Sequence, residues 1–164
     1  MKKSEYEQEL FEAYIGTPEK FDWYTQAFEY FEQRENRMSW YWSIWAMIGG
    51  FWYLIYRKQM KMAMIVLFVS IFLGAILPMG LLPFVMLLFA IAMGGFGTYF
   101  VYAQYRTKRE ELEAVLDDEE KRILIMKYKI GGVNRLAIPM AIIMLISLIS
   151  IVIGLAVMSG RVVL

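Results

Sequence analysis

Ser39 and Ser43 lie upstream of Lys58. A serine beside a lysine is a sparse set that can open an ester or amide of lipid or peptide: the amine takes the hydroxyl proton and the oxygen attacks. These are the chain's one candidate for such chemistry, because 164 residues contain no histidine and no cysteine. That composition excludes disulfides, thiol nucleophiles, zinc sites with sulfur or imidazole ligands and haem held by histidine. It also removes the side chain best suited to proton transfer near neutral pH. Asp117, Asp118, Glu119 and Glu120 form an acidic run, but without the alternating spacing and the glycine of a calcium loop. The run reads as a solvated helix start. Gly94-Gly95-Phe96-Gly97 lies in an apolar stretch and is not a phosphate loop. No enzymatic activity, cofactor or metal is expected.

The elements that would position such residues are dominated by apolar runs. The chain is 59% hydrophobic, 16% aromatic and 20% charged, against about 45–50% apolar and about 25% charged for an ordinary soluble domain. Residues 62–103 carry no charge, nor do 136–160. A spanning helix needs roughly 20 apolar residues, so the first run is long enough for two spans and the second for one. The expected fold is an all-α membrane protein with three transmembrane helices, an aromatic interfacial or re-entrant segment and amphipathic cytoplasmic helices. A charge-rich stretch of 38 residues precedes the first apolar segment, so no cleaved signal peptide is expected.

Five regions follow. Residues 1–38 form a polar head of 9 acidic and 5 basic residues, with Tyr6, Leu10 and Tyr14 at helical spacing. Gly16-Thr17-Pro18 breaks it, with Thr17 a cap and Pro18 the first position of a second helix. That helix carries Phe21, Tyr24, Phe28 and Phe31 on one face. They pack on each other and on the membrane surface, or they dock a partner. Residues 39–61 hold Trp40, Trp42, Trp45, Trp52 and Tyr56, interrupted by Gly49-Gly50 and closed by Arg57, Lys58 and Lys61. This composition belongs at the headgroup level. Residues 62–103 are a transmembrane hairpin turning at 78–83. Residues 104–135 are a charged helical segment in which Asp117 caps a helix ending at Gly131-Gly132. Residues 136–164 are the third span, with a short outer tail bearing Arg161.

The basic residues orient the chain. If 39–56 crossed the bilayer, the 8 basic residues of 104–135 would lie opposite the head, against the positive-inside bias. If it does not cross, all basic residues except Arg161 are cytoplasmic. The N-terminus is therefore expected in the cytoplasm and the C-terminus outside, with 39–56 interfacial or re-entrant and bent at Gly49-Gly50.

The spans contain no charged residue, which counts against an ion-coupled carrier. Ser70, Thr98, Ser147 and Ser150 are isolated hydroxyls that bond back to their own helices, unless an oligomer lines a path with them. Ala90, Gly94 and Gly97, then Ser150 and Gly154, make small-residue faces for close helix packing, within the chain or against a partner. The 13 methionines suit adaptable apolar contacts and are too scattered for a copper motif.

Phe21-Asp22-Trp23-Tyr24, then Ser39-Trp40-Tyr41-Trp42-Ser43-Ile44-Trp45-Ala46, then Gly50-Phe51-Trp52-Tyr53-Leu54-Ile55-Tyr56-Arg57-Lys58 resemble, in order, the "YY", "SWNWAAF" and "FWxLYRKMY" segments of DUF2628. Gly131-Gly132-Val133-Asn134 resembles that family's "GGT" element. Gln59-Met60 and Ser43 depart from the usual Met-Tyr and Ala. The resemblance implies the architecture above and a bacterial inner membrane, and it supplies no activity. The expected role is a non-enzymatic accessory or scaffold subunit of a larger membrane assembly. The alternative is a small homo-oligomeric channel or permeability factor. Membrane lipid and either a membrane-protein partner or further copies of the chain are the expected partners. The 17 basic and 16 acidic residues leave no basic excess for nucleic acid.

Overall fold

The computed structural model describes residues 5–158, with side chains as far as Gly154. Among the described residues the chain is all-helical, without strands. It divides into two compact units, Met1–Asn134 and Arg135–Leu164.

In the first unit, α1 (Glu5–Ile15) and α2 (Phe21–Glu32) are joined by Gly16, Thr17 and a 3-10 turn, Pro18–Lys20. Pro18 therefore opens the turn rather than α2. The Thr17 hydroxyl donates back to the Ile15 carbonyl at 3.4 Å and caps no helix. Helix α2 buries Tyr24, Ala27, Phe28 and Phe31 on one face. It ends in a left-handed pair, Glu35 and Asn36, and the Asn36 N–H bonds to the Phe31 carbonyl at 3.0 Å. That closure satisfies a carbonyl the helix would otherwise leave open.

After an extended stretch come two short helices, α3 (Ile44–Gly49) and α4 (Phe51–Tyr56). Ser43 caps α3, accepting from the Ala46 N–H at 3.3 Å. Gly50 separates the two helices at φ 49°, ψ −124°, a conformation that side chains rarely tolerate. Helices α5 (Met60–Ile76) and α6 (Leu82–Val115) follow, then α7 (Glu119–Ile125) and a π-helical turn (Met126–Ile130). The cap of α7 is Asp118, whose carboxylate accepts from the Lys121 N–H at 3.2 Å. The sequence expectation of Asp117 misses by one residue.

The expected boundary between residues 103 and 104 falls inside a helix. Helix α6 runs through it for 34 residues, about 51 Å at 1.5 Å per residue. Its apolar first part gives way to a charged second part held helical by Arg106–Glu110 and Arg109–Glu113 pairs at 3.0 and 2.8 Å, the i,i+4 spacing that supports a helix. Around α6 from Tyr99 to Arg109, where the two parts meet, the head builds its core. Phe28 meets Phe11, Tyr102 and Tyr105 at 5.4, 5.1 and 5.4 Å between ring centroids. Phe31 meets Tyr102 at 5.2 Å. Such tilted and edge contacts suit the quadrupoles of aromatic rings. Arg109 also reaches Glu7 of α1 at 2.8 Å, fastening α1 to α6.

The second unit is α8 (Ala137–Met158), apolar along its length. The tail at 159–164, with Arg161, lies outside the described residues. Two helices, α6 and α8, are long and apolar enough to cross a membrane; α5 is apolar but shorter, at 17 residues.

Candidate functional site

The segment from Asn36 to Arg57 runs along α6 and comes back. At its start the Asn36 carbonyl accepts from the Tyr99 hydroxyl at 2.9 Å, and the Asn36 side-chain oxygen accepts from Tyr102. Further along, the Tyr41 N–H donates to the Gly95 carbonyl at 2.9 Å and the Ser43 N–H to the Gly94 carbonyl at 2.8 Å. Glycine makes this approach possible. A Cβ on Gly95 would stand 2.4 Å from the Trp40 ring, and one on Gly94 would stand 2.9 Å from Trp42. A Cβ on Gly97 would stand 2.6 Å from the Ala46 Cβ. The face of Gly94, Gly95 and Gly97 is thus filled by residues 40–47 of the same chain. Backbone bonds on α6 satisfy donors of the extended stretch that would otherwise need water.

The returning arm places a cation in the core. Arg57 is 5% exposed. Its Nη1 donates to the Ile15 carbonyl at the end of α1, at 3.2 Å, and its guanidinium lies 4.4 Å from the Tyr24 ring centroid. A helix C-terminus carries partial negative charge, and an aromatic face attracts a cation. The Tyr24 and Tyr53 hydroxyls are 3.0 Å apart. Tyr14 donates to the Val101 carbonyl at 3.0 Å. Burial holds the Tyr14 hydroxyl well above the usual tyrosine range, with Arg57 opposing the shift. Lys58, in the left-handed region at φ 57°, donates to the Gly131 carbonyl. The Gly132 N–H bonds to the Tyr14 carbonyl at 2.7 Å and the Asn134 N–H to the Tyr56 carbonyl at 2.8 Å. A Cβ on Gly131 would stand 2.5 Å from the Tyr14 Cα. Arg57 and Lys58 therefore tie three chain segments at one junction.

Several expected roles change here. Arg57, expected at the membrane interface, is buried, because the end of α1 and the Tyr24 ring face enclose its guanidinium. Tyr24, Phe28 and Phe31, expected to dock a partner or pack on the membrane surface, are buried in the chain's own core, since α6 covers Phe28 and Phe31 and the arm covers Tyr24. Phe21 is half-buried beside Phe11, at 6.3 Å between centroids. Trp40, Trp42 and Trp45 remain exposed, while Trp52, Tyr56 and Lys58 are half-buried. Trp45 and Ile48 show 66% and 71% of their surface, enough to make the bend of this segment an apolar outer face. Ala90 is half-buried on α6, and Ser150 and Gly154 are exposed on α8. Ser39 donates to the Arg37 carbonyl and Ser43 caps α3, whereas the Lys58 amine is held at Gly131. No serine–lysine pair is assembled. An apolar groove of about 190 Å³ between α5 and α6 is lined by residues such as Val66, Phe89 and Met93, and none of its lining side chains is a nucleophile or base. Thr98, expected to bond back to its own helix, is buried without that bond, and the burial of the Gln59 side chain was unforeseen in the sequence.

Fold and site together define an all-helical protein with membrane-length helices and a returning aromatic arm locked to one of them by glycines. The chain belongs to the family described as protein of unknown function (DUF2628), whose model matches residues 4–106. The match takes in α1 to the greater part of α6; the element Gly131-Gly132-Val133-Asn134 lies beyond it. No curated protein matches the chain, and no solved structure does.

Proposed function

We propose that the protein is a non-enzymatic integral component of the bacterial inner membrane, an accessory or scaffold subunit that holds a folded head rigidly over the bilayer. The observation that carries this reading is the unbroken helix α6, whose apolar part is long enough to cross and whose stretch from Tyr99 to Arg109 is the post on which the head is built. Helices α5, α6 and α8 are the three spans. At 17 residues, α5 covers about 25 Å, so it spans a bilayer of about 30 Å with local thinning.

The arm of residues 39–56 re-enters from the cytoplasmic side, supported by its two backbone bonds to α6, since non-helical backbone at depth must be covered by protein. Trp40, Trp42 and Trp45 then meet the headgroup zone. Head, Arg57 to Lys61 and α7 are cytoplasmic, and the C-terminus is outside. Ser70, Ser147 and Ser150 donate to carbonyls four residues back in their own helices, at 2.7–2.9 Å, which speaks against a pore lined by these hydroxyls.

The test is isolation from native membranes in mild detergent, with the particle's mass and contents determined. A stoichiometric foreign membrane protein is the expected result. A pure homo-oligomer that conducts ions in bilayers overturns the scaffold reading in favour of a channel.

A further inference from the structure

The basic end of the arm carries three cations, and two of them are engaged inside the protein. Arg57 is buried against the Ile15 carbonyl and the Tyr24 ring, and the Lys58 amine donates to the Gly131 carbonyl. The third, Lys61, lies in the first turn of α5 and is exposed. Among the described residues, the arginines and lysines in ion pairs are Arg37, Arg106, Lys108, Arg109 and Lys121. Lys61 is not one of them. It heads a row at four-residue spacing whose next members are Ile65 and Val69, neighbours on one helix face.

Ile65 and Val69 both line the apolar groove between α5 and α6, with Phe89, Ala92 and Phe96 on the facing wall. Val66 and Met93, also in its lining, are buried, so the groove is cut into the surface rather than lying flat on it. From Met62 to Val69 it runs about 10 Å along α5 and encloses about 190 Å³. A helix with its side chains is about 10–12 Å across, too thick to enter such a space. Water gains little there, since a bound water needs polar partners. An extended hydrocarbon chain suits both the width and the chemistry.

We propose that the groove and Lys61 together bind one anionic phospholipid of the cytoplasmic leaflet, with an acyl chain along the groove and the phosphate on the Lys61 ammonium. The inference rests on the reading of α5 and α6 as spans whose Lys61 end is cytoplasmic. Side chains lean toward the N-terminus of their helix, so Lys61 reaches away from the apolar groove toward the headgroups, as long cationic side chains do at a membrane surface.

The test uses the full chain in mild detergent, titrated with phosphatidylglycerol or with phosphatidylcholine of the same acyl chains. Bound lipid is counted by native mass spectrometry. The expected result is one saturable phosphatidylglycerol per chain, bound about fivefold more tightly than phosphatidylcholine, which is the worth of one lysine near an anionic surface. Lys61→Gln is expected to remove that preference and leave the weaker binding. Ala92→Leu and Val69→Phe fill the groove from opposite walls and are expected to weaken the binding of both lipids; should one fail to fold, the other decides. Equal binding of the two lipids by the unaltered chain overturns the proposal. So does a preference that survives Lys61→Gln, which places the headgroup on other cations. Binding unchanged in the folded groove variants overturns it too, and a lipid-free dimer gives the groove to a second copy. Cysteine labelling at residue 80 reads the spans independently, so a missing lipid site with residue 80 still labelled is a failure of this inference alone.

Discussion

The head and α8 are both rich in apolar residues and use them in opposite ways. In α2 the apolar residues form a stripe, and Phe28 and Phe31 on it are fully buried while Asp22, Gln26 and Glu29 face out. In α8 there is no stripe: Ile143, Leu145, Ile146, Ile149 and Ile151, which together circle the helix, all expose half or more of their surface. A stripe is what a helix needs when water is its solvent. Apolarity all round is what a helix needs when hydrocarbon is. Helix α6 contains both regimes end to end, apolar from Leu82 onward and charged toward Val115.

Substitutions sharpen this contrast. Phe28→Ala removes a ring that touches Phe11, Tyr102 and Tyr105, and is expected to cost about 3–5 kcal/mol of head stability in denaturant unfolding. Ile149→Ala, on α8, is expected to leave head stability within about 0.5 kcal/mol; an equal loss would dissolve the distinction. Gly97→Ala drives a Cβ to 2.6 Å from Ala46 and is expected to cost about 1–3 kcal/mol with a shift in tryptophan emission as the arm loosens. An unchanged emission spectrum would show that the arm is not locked there.

A smaller effect concerns alkali. Burial pushes the Tyr105 hydroxyl from 10.0 to about 12, with Arg109 opposing. Folding thus favours the protonated form: its contribution is whole below pH 10.0 and is lost as pH rises through about 12. The head should unfold in that window with delayed phenolate absorbance. Helix α8 has no tyrosine between residues 137 and 158 and should keep its circular dichroism. Phenolate appearing at the ordinary pH without unfolding would contradict the burial of Tyr105.

The helices and the long apolar runs were legible because periodicity and length report solvent directly. The stripe of Phe21, Tyr24, Phe28 and Phe31 was legible as a face, but not what covers it. Its cover is shared by Phe11 of α1, Tyr41 and Tyr53 of the arm, and Tyr99, Tyr102 and Tyr105 of α6, which straddle the point where charge patterning marks a separate polar segment. Gly94, Gly95 and Gly97 announced close packing without saying against what; a non-helical arm bonded to helix carbonyls leaves no periodic trace. Arg57 beside Lys58 reads as a membrane-surface pair, since composition cannot distinguish a snorkelling cation from one drawn inward by a helix end and a tyrosine ring. Gln59 was visible only as a departure from the family's usual residue. Its burial depends on the three-segment junction, which is a property of tertiary structure.

The most direct test of two solvents on one chain is thiol mapping, which the absence of cysteine makes clean. Lys20→Cys, Met60→Cys, Gly80→Cys and Glu120→Cys are each treated with a membrane-impermeant reagent in intact cells and again after lysis. Labelling in intact cells at residue 80 alone, with 20 and 120 reacting only after lysis, is the predicted result. Labelling of intact cells at residue 60 would contradict the returning arm, and labelling at 20 or 120 would contradict a cytoplasmic head.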